Sequence, residues 1–280
     1  MTDLSLEAAA LDAEHSLIEW FRRHGSVAIG FSGGVDSAYL AAVAVDALGA
    51  EQTLAIIGRS ASYPEAQWKT ARDVADQIGV RVLEIDTDEL LDPRYAANPI
   101  NRCYFCKTEL WSKLAPLARE RTLAVLIDGT NADDLSDHRP GAAAAREHGV
   151  RSPLAELGIT KELIRIRSRA RGLRTWSQPS SPCLSSRIPY GTAVTPERLR
   201  RIERAEAAVR ARGVRGNLRV RDHDDLARLE LDVAELEQMS DDRLTAIADA
   251  VRAAGFLRVA YDLAGFRSGS LNVLEGVTAA

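Results

Sequence analysis

Short apolar runs alternate with amphipathic stretches through the first half of this chain. Four of these runs predict short buried strands, at 27–31, 53–57, 80–85 and 124–128. Apolar residues at helical spacing predict helices at 4–23, 38–44, 64–78 and 109–118. Because strands and helices alternate, the pattern predicts an α/β fold whose parallel sheet is covered by helices on both faces.

The second half of the chain changes its pattern after a loop rich in proline and serine. Thr160 is predicted to cap a helix, and 175–195 is predicted to be a loop or linker. Beyond it, the pattern predicts helices and half-exposed strands at 196–212, 218–221, 226–231, 244–254 and 257–263. We therefore predict a parallel-sheet domain at 1–180, a linker loop at 181–194 and a smaller α+β domain at 195–280.

Composition and charge are those of a globular protein without a membrane span. The 280 residues are 46% apolar and 27% charged, with a formal net charge of −4. No apolar run approaches the ~20 residues that span a bilayer. The acidic N-terminus lacks a signal-peptide pattern. We expect a cytoplasmic protein without a membrane partner, and the acidic charge argues against nucleic acid as a partner except at a local basic patch.

The hexapeptide Ser32-Gly33-Gly34-Val35-Asp36-Ser37 lies between the first predicted strand and the helix that follows. A Gly-rich turn that leads into a helix directs backbone N–H groups at an anion, and the helix dipole also favours negative charge there. The two glycines permit close approach of a phosphate. The two serines add hydroxyl donors, and Asp36 offers a carboxylate for Mg²⁺. We predict a phosphate site, the alternative being a Gly-rich turn without a ligand.

Polar residues also follow the ends of two other predicted strands. Ser60 comes after the second strand, and Asp128-Gly129-Thr130-Asn131-Ala132-Asp133-Asp134 leaves the fourth. Open parallel sheets bind ligands at the carboxyl ends of their strands. We therefore place Ser60, Gly129, Thr130 and Asn131 at the same site, the alternative being a ligand-free turn stabilised by Asx hydrogen bonds.

The three cysteines of the chain occur as one close pair and one distant residue. Cys103 and Cys106 form a Cys-x-x-Cys motif, and Cys183 follows 77 residues after Cys106, in Pro-Cys-Leu-Ser-Ser-Arg. A metal site and thiol redox chemistry are both compatible with this arrangement, and Cys183 by itself is also compatible with a small buried side chain.

Two arginines of the second predicted domain are spaced for joint recognition of an anion. Arg219 and Arg221 stand two residues apart on a predicted strand, so both side chains point to the same face. Their planar guanidinium groups match phosphates and carboxylates. A charged outer strand face explains the spacing equally well. Arg187, close to Cys183 in the sequence, is a further candidate for binding an anion.

These motifs together resemble those of a known family. The hexapeptide is similar to the PP-loop of ATP pyrophosphatases, and the whole set is similar to the LarE family over nearly the full chain. The other segments that carry the resemblance are Asn-Arg-Cys-Tyr-Phe-Cys-Lys at 101–107, the acidic turn at 128–134, Ser-Pro-Cys-Leu-Ser-Ser-Arg-Ile-Pro-Tyr-Gly at 181–191 and Gly-Phe-Arg-Ser-Gly-Ser-Leu-Asn at 265–272. The resemblance implies a PP-loop domain with a smaller C-terminal domain, a hexamer, and ATP and Mg²⁺ as cofactors.

The resemblance implies an ATP-dependent sulfur transferase in synthesis of the nickel-pincer nucleotide, the cofactor of lactate racemase. Such an enzyme adenylates a carboxylate of pyridinium-3,5-biscarboxylic acid mononucleotide and converts it to a thiocarboxylate. The family's substrate-gripping arginine pair falls in the segment that holds Arg219 and Arg221.

The resemblance also implies two modes of sulfur supply. In one mode, three cysteines hold a 4Fe-4S cluster that carries the sulfur, and Cys103, Cys106 and Cys183 match this mode. In the other mode a single cysteine, here Cys183, gives up its own sulfur and becomes dehydroalanine. The predicted catalytic residues are the three cysteines and Asp36.

Three other functions stay open on the residues. A PP-loop tRNA thiolase can use three cysteines in the same way, but it needs a basic and aromatic RNA surface that this acidic chain lacks. A ligase similar to NAD synthetase would leave the cysteines unexplained. A nucleotide-binding regulator would lack catalysis altogether.

Overall fold

The computed structural model describes residues 3–135, 140–179 and 181–267, so residues 268–272 of the last motif lie outside the described residues. Its helices are α1 (Asp3–His24), α2 (Val35–Leu48), α3 (Glu65–Ile78), α4 (Pro93–Ala96), α5 (Arg102–Glu120), α6 (Pro140–Glu147), α7 (Pro153–Glu156), α8 (Lys161–Ala170), α9 (Pro196–Ala211), α10 (Val233–Leu236) and α11 (Asp241–Ala253). Its strands are β1 (Val27–Gly30), β2 (Thr53–Arg59), β3 (Arg81–Asp86), β4 (Val125–Ile127), β5 (Leu218–His223), β6 (Leu226–Leu231) and β7 (Arg258–Tyr261). Within these ranges no helix has the length and apolar character needed to cross a membrane.

The first four strands form one parallel sheet in the order β3-β2-β1-β4, which confirms the predicted α/β class. Val27 of β1 pairs in register with Thr53 of β2 and with Val125 of β4. Because side chains alternate across a strand, Val27 and Ile29 pack into one layer of helices while Ala28 packs into the other.

Helices cover both faces of this sheet, as parallel strands require. One face packs against α1, α2 and α8, which contribute Phe21, Leu40 and Ile164. The other face packs against α5 and α6, where Trp111 is fully buried. A Cβ added at Gly30 would lie 2.5 Å from Trp111 Cη2, so only glycine fits there. Burial of such a side chain contributes about 1.5–3 kcal/mol to the free energy of folding. The packed Trp111 anchors the end of β1 from which the phosphate loop departs.

The last three strands form a small mixed sheet in the order β5-β6-β7. β5 and β6 are antiparallel, with Arg219 opposite Glu230 and Arg221 opposite Arg228, whereas β6 and β7 are parallel. The core between this sheet, α9 and α11 also takes in Tyr95 from α4. The core of the small sheet therefore combines side chains from α9 and α11 with one from α4, which comes much earlier in the chain. The division of the chain at 180 and 195 stays a prediction.

Two elements differ from the expectation. Helix α5 begins at Arg102 rather than at residue 109, so Cys103 and Cys106 lie in its first turns. The two adjacent aromatic residues between them obscure the helical period. Strand β5 is buried along 218–222 rather than half-exposed. The outer face of β5 is covered by two elements. Glu206 of α9 accepts a hydrogen bond from the main chain of β5, and the turn after Cys183 accepts one from Arg221 of β5.

Candidate active site

The loop between β1 and α2 leaves the first N–H groups of α2 without a side-chain cap. Gly34 occupies the N-cap position and offers no side chain to accept from them. Gly33 has φ +67°, and a Cβ there would lie 2.4 Å from Ala71 Cα on α3. The Ser37 hydroxyl accepts from Ser32 N (3.3 Å) and donates to Gly34 O (3.2 Å). This closed loop with an uncapped helix N-terminus has the geometry that anion binding requires.

The first turn of α3 and the residues just before it hold this loop through side chains that the sequence motifs did not identify. Tyr63 Oη (2.9 Å) and Gln67 Nε2 (2.8 Å) both donate to the carbonyl of Ser32. Beside them, Ser60 Oγ is hydrogen bonded to Ser62 Oγ (2.9 Å). Ser60 therefore follows the carboxyl end of β2, as predicted, with its hydroxyl engaged by a neighbour.

The turn after β4 packs against the N-terminus of α2. A Cβ at Gly129 would lie 3.3 Å from Asp36 Cβ, so the missing side chain permits a close approach. Asn131 Nδ2 donates to Asp36 Oδ1 (3.3 Å). The Thr130 hydroxyl instead donates to Asp128 Oδ2 (3.0 Å) within an Asx-type turn. The structure therefore brings Gly129 and Asn131 to the loop, whereas Thr130 is engaged inside the turn.

Asp36 is paired with a cation that the sequence analysis missed. The Nζ of Lys161, the first residue of α8, forms an ion pair with the Asp36 carboxylate. The N–H of Lys161 donates to Asp133 Oδ2 (2.7 Å), and Thr160 caps the helix as predicted. The helix start at Thr160 was visible in the sequence, but its placement beside α2 was not. Lys161 adds positive charge where α2 already favours a phosphate.

Asp36 is suited to a Mg²⁺ ion that is shared with a nucleotide. Protein sites usually hold Mg²⁺ through one or two carboxylates together with substrate phosphates and water. Among the residues that the structure describes, no group of three or more His, Cys, Asp or Glu side chains is arranged to hold a metal ion. A Mg²⁺ ion at Asp36 would therefore need phosphate oxygens to complete its coordination, and it would replace Lys161 on that carboxylate.

The structure brings together the segments that carry the three cysteines, which we call the cysteine pocket (Cys103, Cys106 and Cys183). Cys103 is exposed near the start of α5, and Cys106 and Cys183 are half-buried. Burial raises the pKa of the Cys106 thiol, and Glu89, Cys183 and Cys103 raise it further. Cys106 packs on the same core cluster as Leu184, the residue after Cys183, so tertiary packing brings the two segments together across the 77-residue gap.

Asn98 joins the segment before α5 to the segment after Cys183. This fully buried residue has φ +56°, and its Nδ2 donates to the carbonyls of Pro189 (2.7 Å) and Thr192 (2.9 Å). The sequence analysis missed Asn98, whose one signal is an Asn-Pro pair of the kind that marks turns. These bonds keep the two halves of the cysteine pocket in register.

Arg187 fastens the Cys183 loop to α9. Its buried guanidinium makes a bidentate ion pair with Glu206 (2.9 and 3.0 Å). It also donates to the carbonyls of Pro182 (2.7 Å) and Cys183 (3.2 Å). Nε and both Nη atoms thus have acceptors in the protein itself. The predicted role of Arg187 in binding an anion stays a prediction, and its observed contacts are those of a positioning residue.

Arg219 and Arg221 lie on the same face of β5, as their spacing predicts, and both are buried. The alternative of a solvated strand face therefore does not hold. Arg221 donates to Ser186 O (2.7 Å) and to Glu230 Oε2 (2.7 Å). Burial, followed by the nearby charge of Arg187, lowers the pKa of Arg219 to about 10. This crowding of positive charge favours an anion beside the pair.

Relatives that align over most of the chain include two that are more than 30% identical to it. The chain is 33% identical over 248 residues to the pyridinium-3,5-bisthiocarboxylic acid mononucleotide synthase of Lactiplantibacillus plantarum, an overlap of 88% of each chain. It is 44% identical over 258 residues to an uncharacterized protein of Synechocystis sp., which is 92% of this chain and 96% of that protein.

A second similarity is confined to the region of the phosphate loop. The sequence model of the NAD synthase family matches residues 20–100. The NH₃-dependent NAD⁺ synthetase of Pyrobaculum aerophilum is 38% identical over 76 residues, 26% of this chain and 28% of that protein. The shorter match accounts for the nucleotide part of the fold, whereas the longer one extends over most of both sheets. The chain therefore belongs to the LarE family, that of the pyridinium-3,5-bisthiocarboxylic acid mononucleotide synthase, and is an ATP-dependent enzyme with a PP-loop.

Proposed function

We propose that this protein is an ATP-dependent sulfur transferase in nickel-pincer nucleotide synthesis. Its substrate would be pyridinium-3,5-biscarboxylic acid mononucleotide. The enzyme would adenylate one carboxylate of this substrate and convert that carboxylate to a thiocarboxylate. One observation carries the proposal: the phosphate loop and the cysteine pocket are joined by a single short segment. Tyr63 donates to Ser32 O (2.9 Å), and the carbonyl of the preceding Ser62 accepts from Leu184 N (2.8 Å), next to Cys183.

The first half of the reaction uses the loop at 32–37. A carboxylate oxygen of the substrate attacks the α-phosphorus of ATP, the bond to the β-phosphate oxygen breaks, and pyrophosphate leaves. The N-terminus of α2 and the Nζ of Lys161 supply positive charge where the leaving group gathers negative charge. Mg²⁺ at Asp36, when bound, would neutralise phosphate oxygens.

The second half of the reaction needs a sulfur donor at the acyl carbon. We propose that Cys103, Cys106 and Cys183 hold a 4Fe-4S cluster, since thiolates are its usual ligands. Three cysteines of a cluster bind three different irons, so they need not converge on one point as the ligands of a single ion do. Such a cluster, when bound, would supply sulfide through the iron that no cysteine holds. The acyl carbon then loses AMP and gains sulfur.

Two further parts of the proposal come from the family resemblance. Arg219 and Arg221 would bind anionic groups of the substrate, which the buried positive charge around them supports. The protein would work in the cytoplasm and as a hexamer. A tRNA substrate finds no support in the acidic composition of the chain.

The test is a single-turnover reaction of protein purified without oxygen, supplied with ATP, Mg²⁺ and the substrate. We expect pyrophosphate and AMP to form only with the substrate present, iron and sulfide to be bound to the protein, and the mass of the Cys183 peptide to stay unchanged. Loss of hydrogen sulfide from that peptide would identify Cys183 as a consumed donor and overturn the cluster. Absence of pyrophosphate release would overturn the function as a whole.

A further inference from the structure

Arg102 carries a buried positive charge at the edge of the cysteine pocket. The residue is 5% exposed. Its Nη1 donates to the neutral Oδ1 of Asn98 (2.6 Å), and its guanidinium carbon lies 5.2 Å from the ring centroid of Tyr190. Its Nε is buried without a hydrogen-bond acceptor among the described residues. A buried charge is costly unless an anion or a full set of hydrogen bonds compensates it.

Two other buried arginines of this region differ from Arg102 in one respect. Arg187 is paired with Glu206, and Arg221 is paired with Glu230. No carboxylate in the described part of the chain forms an ion pair with Arg102. Among the described residues, the neighbours of Arg102 offer neutral acceptors, thiols and tyrosine hydroxyls, and none supplies a carboxylate like those paired with Arg187 and Arg221.

Arg102 lies where the two segments of the cysteine pocket meet, because its partner Asn98 bonds to the carbonyls of Pro189 and Thr192 after Cys183. Burial lowers the pKa of its guanidinium, and the nearby groups of Cys183, Cys103, Tyr190 and Tyr95 together outweigh this effect and raise it. Arg102 directly precedes Cys103 at the start of α5. A carboxylate that accepted from the Arg102 guanidinium would therefore lie beside the thiols.

We propose that Arg102 forms a carboxylate subsite in the cysteine pocket and holds the acid end of the substrate beside the sulfur donor. A planar guanidinium matches a planar carboxylate, and burial strengthens the interaction. Arg102 would thus bind a carboxylate of the substrate that is not adenylated at that moment and hold the substrate next to the thiols. The identity of the carboxylate rests on the proposed function, but the existence of the subsite does not.

The test compares two alkylating reagents on the full chain, reduced and treated with a chelator so that the thiols are uncoordinated. Iodoacetate carries a carboxylate, and iodoacetamide is its neutral counterpart. In both reactions the thiolate sulfur bonds to the CH₂ carbon, the carbon–iodine bond breaks and iodide leaves. Because the same thiolate attacks both reagents, the ratio of their rates does not depend on the fraction of thiol that is ionised.

We expect the ratio of iodoacetate to iodoacetamide rates at Cys183, read by peptide mass spectrometry, to fall about tenfold in Arg102→Gln. Arg102→Lys should restore part of the ratio because it keeps the charge. Arg94→Gln is the matched control, since Arg94 is exposed and paired with Asp92, and it should leave the ratio unchanged. An unchanged ratio in Arg102→Gln would overturn the subsite, because a role limited to the thiols would slow both reagents equally.

A second measurement needs no variant and so does not depend on how Arg102→Gln folds. Pyridine-3,5-dicarboxylate should slow alkylation of wild-type Cys183 by iodoacetamide, whereas pyridine-3,5-dicarboxamide should not. Equal effects of the two compounds would overturn the subsite. Neither measurement uses ATP, so a failure here is distinguishable from a failure of pyrophosphate release, which would concern the proposed function.

Discussion

Lys161 forms an ion pair with Asp36 although 125 residues separate them in the chain. The contact places a lysine at the N-terminus of α2, beside the loop that has no side-chain cap. Together with the hydrogen bond from Asn131, it orients the carboxylate that we propose as a Mg²⁺ ligand. Two predictions follow from the separate roles of the two partners.

Asp36→Asn should lower substrate-dependent pyrophosphate release by roughly 100-fold or more, because the amide keeps the size but loses the charge that holds Mg²⁺. The control is Asp46→Asn at the other end of α2, where the carboxylate pairs with Arg171. That variant should retain full release. Equal activity of the two variants would contradict the metal role of Asp36.

Lys161→Met should weaken ATP binding by about tenfold, since it removes one cation from the phosphate site. Lys161→Arg should recover part of the affinity. Titration calorimetry with a non-hydrolysable ATP analogue measures both variants. If Lys161→Met binds the analogue as tightly as the wild type does, the lysine serves only to orient Asp36.

Arg219 and Arg221 should differ in their effect on stability while sharing an effect on substrate. Arg221→Met should lower the free energy of unfolding by about 3 kcal/mol, because it leaves the buried Glu230 without its closest partner. Arg219→Met should cost less, because burial and nearby arginines already disfavour the charge of Arg219. Urea unfolding measures the difference.

In both variants the substrate KM should rise more than the ATP KM. Arg252→Met, on the exposed side of α11, is the control and should change neither. An unchanged substrate KM in Arg219→Met, Arg221→Met and the double variant would remove the pair from the binding site.

Each of the three cysteines should be required for bound iron. Cys103→Ser, Cys106→Ser and Cys183→Ser should each lose the cluster or hold it weakly, because a serine oxygen is a poorer ligand for iron than a thiolate. Iron and sulfide analysis of protein prepared without oxygen checks this. Asp36→Asn should keep its iron. Normal sulfur transfer by Cys103→Ser and Cys106→Ser would instead leave Cys183 as the sole donor.

Glu14 should make the fold sensitive to acid. Burial raises its pKa, but hydrogen bonds from Arg167 and Arg171 outweigh this and bring the pKa from 4.5 to about 2. A carboxyl whose pKa is lower in the folded state stabilises the fold above about pH 4.5, and this contribution disappears as the pH falls towards 2. At neutral pH it amounts to about 3 kcal/mol.

Glu14→Gln should therefore be less stable than the wild type near neutral pH, and the difference should shrink as the pH falls below 4. Unfolding by urea at several pH values measures it. Glu19→Gln removes an exposed carboxylate from the same helix and should leave the pH profile of stability unchanged. A difference for Glu14→Gln that stays constant with pH would assign the loss to packing rather than to charge.

The sequence alone was sufficient for the features that depend on near neighbours in the chain. Apolar runs and periods predicted the strands of both sheets in the described residues and most of the long helices, because such patterns are local, although the start of α5 was missed. The hexapeptide at 32–37 predicted a turn into a helix N-terminus, because the glycines and the flanking periods occur within one short segment. The cap at Thr160 was visible for the same reason.

Only the tertiary structure decided which distant residues share the site. Nothing near Lys161 in the sequence indicates Asp36, because their contact depends on how α8 packs beside α2. The same holds for Asn98, whose bonds to the loop after Cys183 assemble the cysteine pocket. The burial of Arg219 and Arg221 required α9 and the Cys183 loop to cover β5, and a two-residue spacing cannot tell a covered face from a solvated one. Local periodicity specifies elements and their faces, whereas the charge environment of a site arises from contacts between elements far apart in the chain.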